Sequence, residues 1–239
     1  MGTRINPNLL DYIWTVMRIS LLALTLIFLT ACTSLQGPDK ALIAQAESGD
    51  IHSQFALASA YDTGAGLINS GSNAKKWYLK AANGGHAEAQ NSLGSIAQAE
   101  GNYANAIIWY QKAAKQQHAL ASNNLAYLYD LGLGVKQDRQ KGHDLYLIAS
   151  DLGSARAMFN LANMFGAGQL GRVDFHQAAI WCQRSYNYAE DKVTRKRASQ
   201  CMDYLKTQLS YAKLQKAKEI GRNWSPTKIS WEKKQTDLQ

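Results

Sequence analysis

The sequence predicts an all-α chain folded as a solenoid of stacked helix hairpins, and three observations predict it. One segment is written twice: Ala74 to Ala82 (AKKWYLKAA) and Ala106 to Ala114 (AIIWYQKAA) align position for position. A leucine recurs as Leu57, Leu93, Leu125 and Leu161, each followed by a small residue, Ala58, Gly94, Ala126 or Ala162. Only 3 prolines interrupt a chain rich in Ala, Leu, Gln and Lys, which favour helix. A pattern that returns every thirty-odd residues marks stacked units, none of which can bury its apolar face alone.

Residues 1–31 read as a targeting segment. Arg18 precedes an apolar run from Ile19 to Leu29, shorter than the roughly twenty residues that a spanning helix needs. Leu29–Thr30–Ala31–Cys32 follows. A cation, a short apolar core and small residues before a cleavage point are the parts of a secretory signal. The Leu-Thr-Ala-Cys ending resembles the lipobox of bacterial lipoproteins. That resemblance implies cleavage before Cys32, a diacylglyceryl group on its thiol and acylation of the new amine. Several acyl chains anchor a protein stably, at about 0.8 kcal/mol per buried methylene. Thr33 after the cysteine, in place of aspartate, resembles the outer-membrane sorting choice of Gram-negative lipoproteins. The expected location is the cell envelope, lipid-anchored at the outer membrane and facing the periplasm. The competing reading is an uncleaved anchor helix with a chance cysteine. Met17, next to Arg18, makes a better start for such a signal than Met1. Residues 32–40 form a polar tether holding Gly37 and Pro38.

Ala41 to Gly49 reads as the tail of a helix that caps the stack. Four hairpins follow, over Asp50–Gly84, Gly85–Gln116, Gln117–Leu152 and Gly153–Ala189. In the first helix of each, the leucine and the residue four later (Tyr61, Ala97, Tyr129 or Phe165) share a face. The small residue after the leucine lets the partner helix approach closely. Gly64 with Gly66, Gly132 with Gly134, and Gly168 end three of these helices, supplying positive φ for the connection. The second helices open at matched positions with Ser70, Asn102, Asp138 and Asp174, all good N-caps. Ala74, Ala106, Gly142 and Ala178 follow in register, then Trp77, Trp109, Leu145 and Trp181.

The layout Leu-small-x-x-Tyr, Gly-x-Gly, Asp-x-x-x-Ala-x-x-Trp-Tyr-x-Lys-Ala-Ala resembles the Sel-1-like repeat, a relative of the tetratricopeptide repeat. Residues 41–189 carry it. Gly132–Leu133–Gly134–Val135–Lys136–Gln137–Asp138 shows the loop best. The third unit departs at Leu145–Tyr146–Leu147–Ile148–Ala149–Ser150, and the fourth has Cys182 after its tryptophan. The resemblance implies a right-handed α/α superhelical solenoid that serves as an interaction scaffold, in bacteria often in the envelope.

After Ala189 the register is lost. Residues 190–224 read as a capping region, helical from Asp191 to Ile220 in one piece or two, with Met202, Leu205, Leu209, Ala212 and Ile220 covering the end of the stack. Gly221 and Pro226 stop it. Residues 225–239 read as a loosely ordered basic tail, with Trp224 and Trp231 in or near it. The net charge of +8 is concentrated here, since residues 190–239 hold 12 basic and 6 acidic side chains. An acidic partner, anionic lipid or a solvated outer face all fit such a helix; no nucleic-acid signature accompanies it. Once Cys32 is lipidated, Cys182 and Cys201 remain, either bridged, as an oxidising compartment invites, or simply buried as small residues.

The 5 histidines, His52, His86, His118, His143 and His176, are scattered. His86 and His118 share a repeat position at a helix start. No HExxH, CxxC or phosphate loop is present, and no serine sits in a nucleophile elbow. No catalytic residue, metal or cofactor is therefore assigned, and no nucleic-acid partner is expected. The candidate site is the concave face, where first-helix positions opposite the leucine fall. These are His52, Phe55, Ser59 and Asp62 in the first hairpin, and Glu88, Asn91, Ser95 and Gln98 in the second. The third gives Leu120, Asn123, Tyr127 and Asp130, and the fourth Arg156, Phe159 and Asn163. Asn91 and Asn123 are repeat-equivalent amides suited to clamping a peptide backbone, and Phe55, Tyr127 and Phe159 are suited to anchoring side chains. The expected function is a non-enzymatic, membrane-anchored scaffold that binds an envelope protein or peptide. A peptidoglycan- or polysaccharide-binding module, favoured by the tyrosines and tryptophans, is the alternative. A β-lactam hydrolase, an activity linked to some cysteine-rich relatives, is a further one.

Overall fold

The computed structural model describes residues 40–64 and 70–226. Cys32 with its signal segment, Gly66, and the tail from 227 onward, Trp231 included, lie outside the described residues. The chain divides into two compact units, Met1–Trp77 and Tyr78–Gln239. The described residues form eleven helices and no strand, the all-α class the sequence predicts.

In the first unit, α1 (Lys40–Glu47) packs on α2 (Ile51–Thr63). Gln54 Nε2 donates to Ala46 O at 3.1 Å, satisfying a carbonyl at the end of α1. The division between the units falls within α3 (Gly71–Asn83).

In the second unit three hairpins follow one another. They are α4 (Ala87–Ala99) with α5 (Tyr103–Ala114), α6 (Ala119–Leu131) with α7 (Arg139–Asp151), and α8 (Ala155–Gly166) with α9 (Phe175–Tyr188). Each helix packs on the next, and α4 also touches α6. Every one of these helices starts where a cap side chain accepts an orphan N–H of the first turn, from the residue three positions on. Asn102, Asp138 and Asp174 receive Asn105 N, Lys141 N and Gln177 N, as the sequence predicts. Ser70 stands 3.4 Å from Asn73 N at the start of α3, a weaker version of the same contact. Two of the first helices, α4 and α6, are capped by histidine: the Nδ1 atoms of His86 and His118 accept from Ala89 N and Ala121 N at 3.3 and 3.1 Å, while Ser154 caps α8. Both rings must leave Nδ1 unprotonated to do so.

The small residue after the leucine has a specific neighbour. A Cβ added to Gly94 would stand 2.5 Å from the ring of Tyr110, which is fully buried beside it. Tyr146 of the third hairpin is equally buried, and Cys182 holds the matching place in the fourth. In the Gly132–Gly134 loop both glycines have φ near +70°, a conformation L side chains resist. A Cβ on Gly134 would also meet Tyr103 Cβ at 2.5 Å.

At the C-terminal end, α10 (Lys192–Gln208) and α11 (Tyr211–Arg222) both pack on α9. Met202 and Leu205 are buried as expected, whereas Ala212 and Ile220 are exposed. The helix is interrupted between Gln208 and Tyr211, which resets the helical phase, and α11 turns Leu214, Ala217 and Gly221 inward instead. Gly221 lies one residue before the end of α11, and a Cβ there would be 2.7 Å from Gln183 Cβ. Trp224 likewise belongs to the packed end. Its ring meets Tyr188 at 5.5 Å and Trp181 at 6.3 Å, and Arg184 lies over both tryptophans. Cys182 and Cys201 are joined by a disulfide that ties α9 to α10, with Cα atoms 6.3 Å apart.

Candidate functional site

Asparagines lace the first helices of the second unit side by side. Asn124 Nδ2 donates to Asn91 Oδ1 at 3.3 Å, Asn123 Nδ2 to Asn124 Oδ1 at 3.3 Å, and Asn160 Nδ2 to Asn123 Oδ1 at 3.0 Å. The chain of amides runs from α4 through α6 to α8. At the α4 end, Glu88 Oε2 lies 2.5 Å from His118 Nε2. That contact first, and a further one from Asn91, hold the Glu88 carboxyl below the usual range against the opposing effect of burial. His118 thus caps α6 with one ring nitrogen and reaches α4 with the other.

This corrects the proposed backbone clamp. Asn91 and Asn123 are only 4% and 6% exposed, and their side-chain oxygens are already engaged by Asn124 and Asn160. The helical wheel counted one packed side, opposite which it placed solvent. A first helix in a stack has two packed sides, its own partner helix and the first helix of the next hairpin, and position −2 faces the second.

Three further predicted residues are also turned to structural use. Ser95 Oγ stands 3.2 Å from the Tyr110 hydroxyl, which donates to Gln98 Oε1 at 3.0 Å. Burial pushes the Tyr110 phenol upward. Asp130 occupies the position equivalent to Gln98. Its Oδ1 is buried without a hydrogen bond and lies 3.9 Å from Arg139 Nε. Burial raises its carboxyl above the ordinary value despite that arginine. Phe55, Ser59 and Asp62 lie on α2 of the first unit, with Asp62 and His52 exposed and the other two half-buried. Asn163 is exposed on α8 and lines neither cavity.

Above the amides lie two adjoining cavities of the second unit, of about 440 and 230 Å3. They share Asn124, Tyr127 and Arg156. The larger runs past Ser95, Gln98, Tyr103, Leu120 and Leu133. The smaller runs past Asn123, Phe159, Asn160, Thr194 and Arg197. Tyr127 is 40% exposed at their junction. Of the predicted residues, Ser95, Gln98, Leu120, Asn123, Tyr127, Arg156 and Phe159 therefore meet at one place. Asn124 and Asn160 were missed, although their shared position just before the recurring leucine was a visible signal. Arg197 was missed because α10 follows the repeats and carries no register. The combination of aromatic faces, amides and two guanidiniums suits contact with an extended chain. Among the described residues no cluster of His, Cys, Asp and Glu could hold a metal ion, and no helix is long and apolar enough to cross a membrane.

The family model described as Sel1 repeat matches residues 51–86, 87–118, 119–154 and 155–187. These bounds agree within a few residues with the hairpins read from the sequence. A protective antigen of uropathogenic Escherichia coli with an SLR fold is similar at 28% identity and a TM-score of 0.70, over 76% of this chain. The match covers 39% of that antigen's own length. A Sel1 repeat protein from Oxalobacter formigenes shares the fold, at 24% identity and a TM-score of 0.62 over 76% of each chain. No curated protein matches the chain.

Proposed function

Because the chain belongs to the Sel1 repeat family, we propose that it is a non-enzymatic scaffold of the bacterial cell envelope. It is held to the outer membrane by lipid on Cys32, faces the periplasm, and binds a protein or peptide. The observation that carries the binding half is the pair of adjoining cavities around Tyr127, Arg156 and Phe159. An exposed tyrosine beside amides and a cation resembles the centre of a protein-binding surface, where aromatic and arginine anchors dominate. The anchoring half is supported by Leu29–Thr30–Ala31–Cys32 after a short apolar run.

One set of strains tests both halves. The full chain isolated from envelopes retains a co-purifying polypeptide, and Tyr127→Ala plus Phe159→Ala weakens that retention about tenfold or more, as loss of aromatic anchors does. Cys32→Ser moves the chain from the membrane to the soluble fraction. Unchanged retention by the double variant removes the groove from the function, and unchanged membrane association of Cys32→Ser removes the lipid. Sedimentation of the chain with purified sacculi would favour the peptidoglycan reading instead.

A further inference from the structure

We infer that the groove selects an acidic polypeptide segment, whose carboxylate is held between Arg156 and Arg197 while a neighbouring apolar side chain lies against Tyr127 and Phe159. This rests on the peptide-binding reading above and adds the chemistry of the partner.

The charge of the groove favours an acidic ligand. Arg156 lines both cavities and Arg197 the smaller one, and no Asp or Glu lines either. The two arginines come from different helices, α8 and α10, so they approach the smaller cavity from two elements. A guanidinium offers a planar fork of donors matched to a carboxylate.

The nearby carboxylate, Asp191, is already committed to a helix cap. Asp191 Oδ2 is 3.9 Å from an Arg156 terminal nitrogen, and both side chains are largely exposed. Asp191 accepts from Thr194 N at 2.7 Å and from Thr194 Oγ1 at 2.8 Å, which is the cap of α10. A long, solvent-exposed ion pair of this kind contributes little, so a ligand carboxylate can take the Arg156 fork without unmaking the cap. Arg197 is exposed and has no ion pair among the described residues.

Tyr127, Phe159, Leu120 and Leu133 line the same two cavities as the cations and supply apolar area there. The asparagines that line the groove hydrogen-bond to one another, so selection by charge falls to the arginines. The chain as a whole carries +8, which draws an acidic partner toward it.

The test is selection of a displayed random-peptide library on the purified full chain in detergent, followed by affinity measurement of the enriched peptides. Enriched peptides carry Asp or Glu next to an apolar residue. Each loses about tenfold or more in affinity on Arg156→Ala plus Arg197→Ala, loses less on Arg156→Lys plus Arg197→Lys, and weakens with added salt. Enriched peptides with no acidic preference, or with affinity indifferent to both double variants, overturn the inference and leave the peptide-binding reading standing. No enrichment at all overturns both. Binding of soluble alginate that the double alanine variant loses, without acidic peptides being enriched, assigns the arginines to a polysaccharide and overturns the inference.

Discussion

Cys201→Ala unfolds at lower urea than the wild-type chain, with a loss of about 3 kcal/mol from the C-terminal end of the second unit. The bridge joins residues 19 apart in sequence, and closing a loop of that size removes roughly this much free energy's worth of unfolded-state entropy. Its position makes the loss local. Cys182 is fully buried on α9, where the second and third hairpins have Tyr110 and Tyr146. The fourth hairpin thus gives up a large ring and gains a covalent tie to α10. The tie matters because a terminal hairpin has no further repeat to bury its outer side, and α10 and α11 serve instead. Tryptophan fluorescence includes a signal from this end, since Trp181 and Trp224, two of the chain's 6 tryptophans, lie in it. The shift is reproduced in the wild-type chain by dithiothreitol. An unfolding curve that Cys201→Ala leaves in place would show that α10 is held by packing alone.

Gly94→Ala costs about 1–3 kcal/mol, although alanine is the better helix former. The added methyl would lie 2.5 Å from two ring carbons of Tyr110. That ring cannot swing away cheaply, because it is fully buried and its hydroxyl is held by Ser95 and Gln98. The sign reverses when the ring is removed. In a Tyr110→Ala background, itself destabilised by about 3–5 kcal/mol, Gly94→Ala is neutral or slightly stabilising. This coupling is what a double-mutant cycle measures. Additive costs would mean that α4 and α5 do not meet through this pair.

The elements were legible in the sequence for a simple reason. Caps, close-approach residues and loop glycines act within one hairpin, and the repeat prints each of them several times. Asn102, Asp138 and Asp174 could be compared with one another and found in register. The Cys182–Cys201 pair had no second copy to compare with, so spacing left the bridge and the buried-thiol reading both open. The site was less legible because it forms between hairpins. Position −2 carries Asn91 and Asn123, and a single helix wheel sends them to solvent. Only the next first helix, bringing Asn124 and Asn160, turns them into a ladder. Arg197 and Trp224 follow the last repeat, where no register exists to say which way a side chain faces. The same loss of register misplaced Ile220, which is 38% exposed.

The most direct test places a photo-reactive benzoylphenylalanine at Tyr127 in living cells, with Tyr186 as the comparison site. The two tyrosines are 40% and 43% exposed, and Tyr186 lines neither cavity. Irradiation is predicted to yield a discrete cross-linked polypeptide from position 127 and none from 186. Equal labelling at both positions, or labelling at 186 alone, would contradict a binding face along α4, α6 and α8.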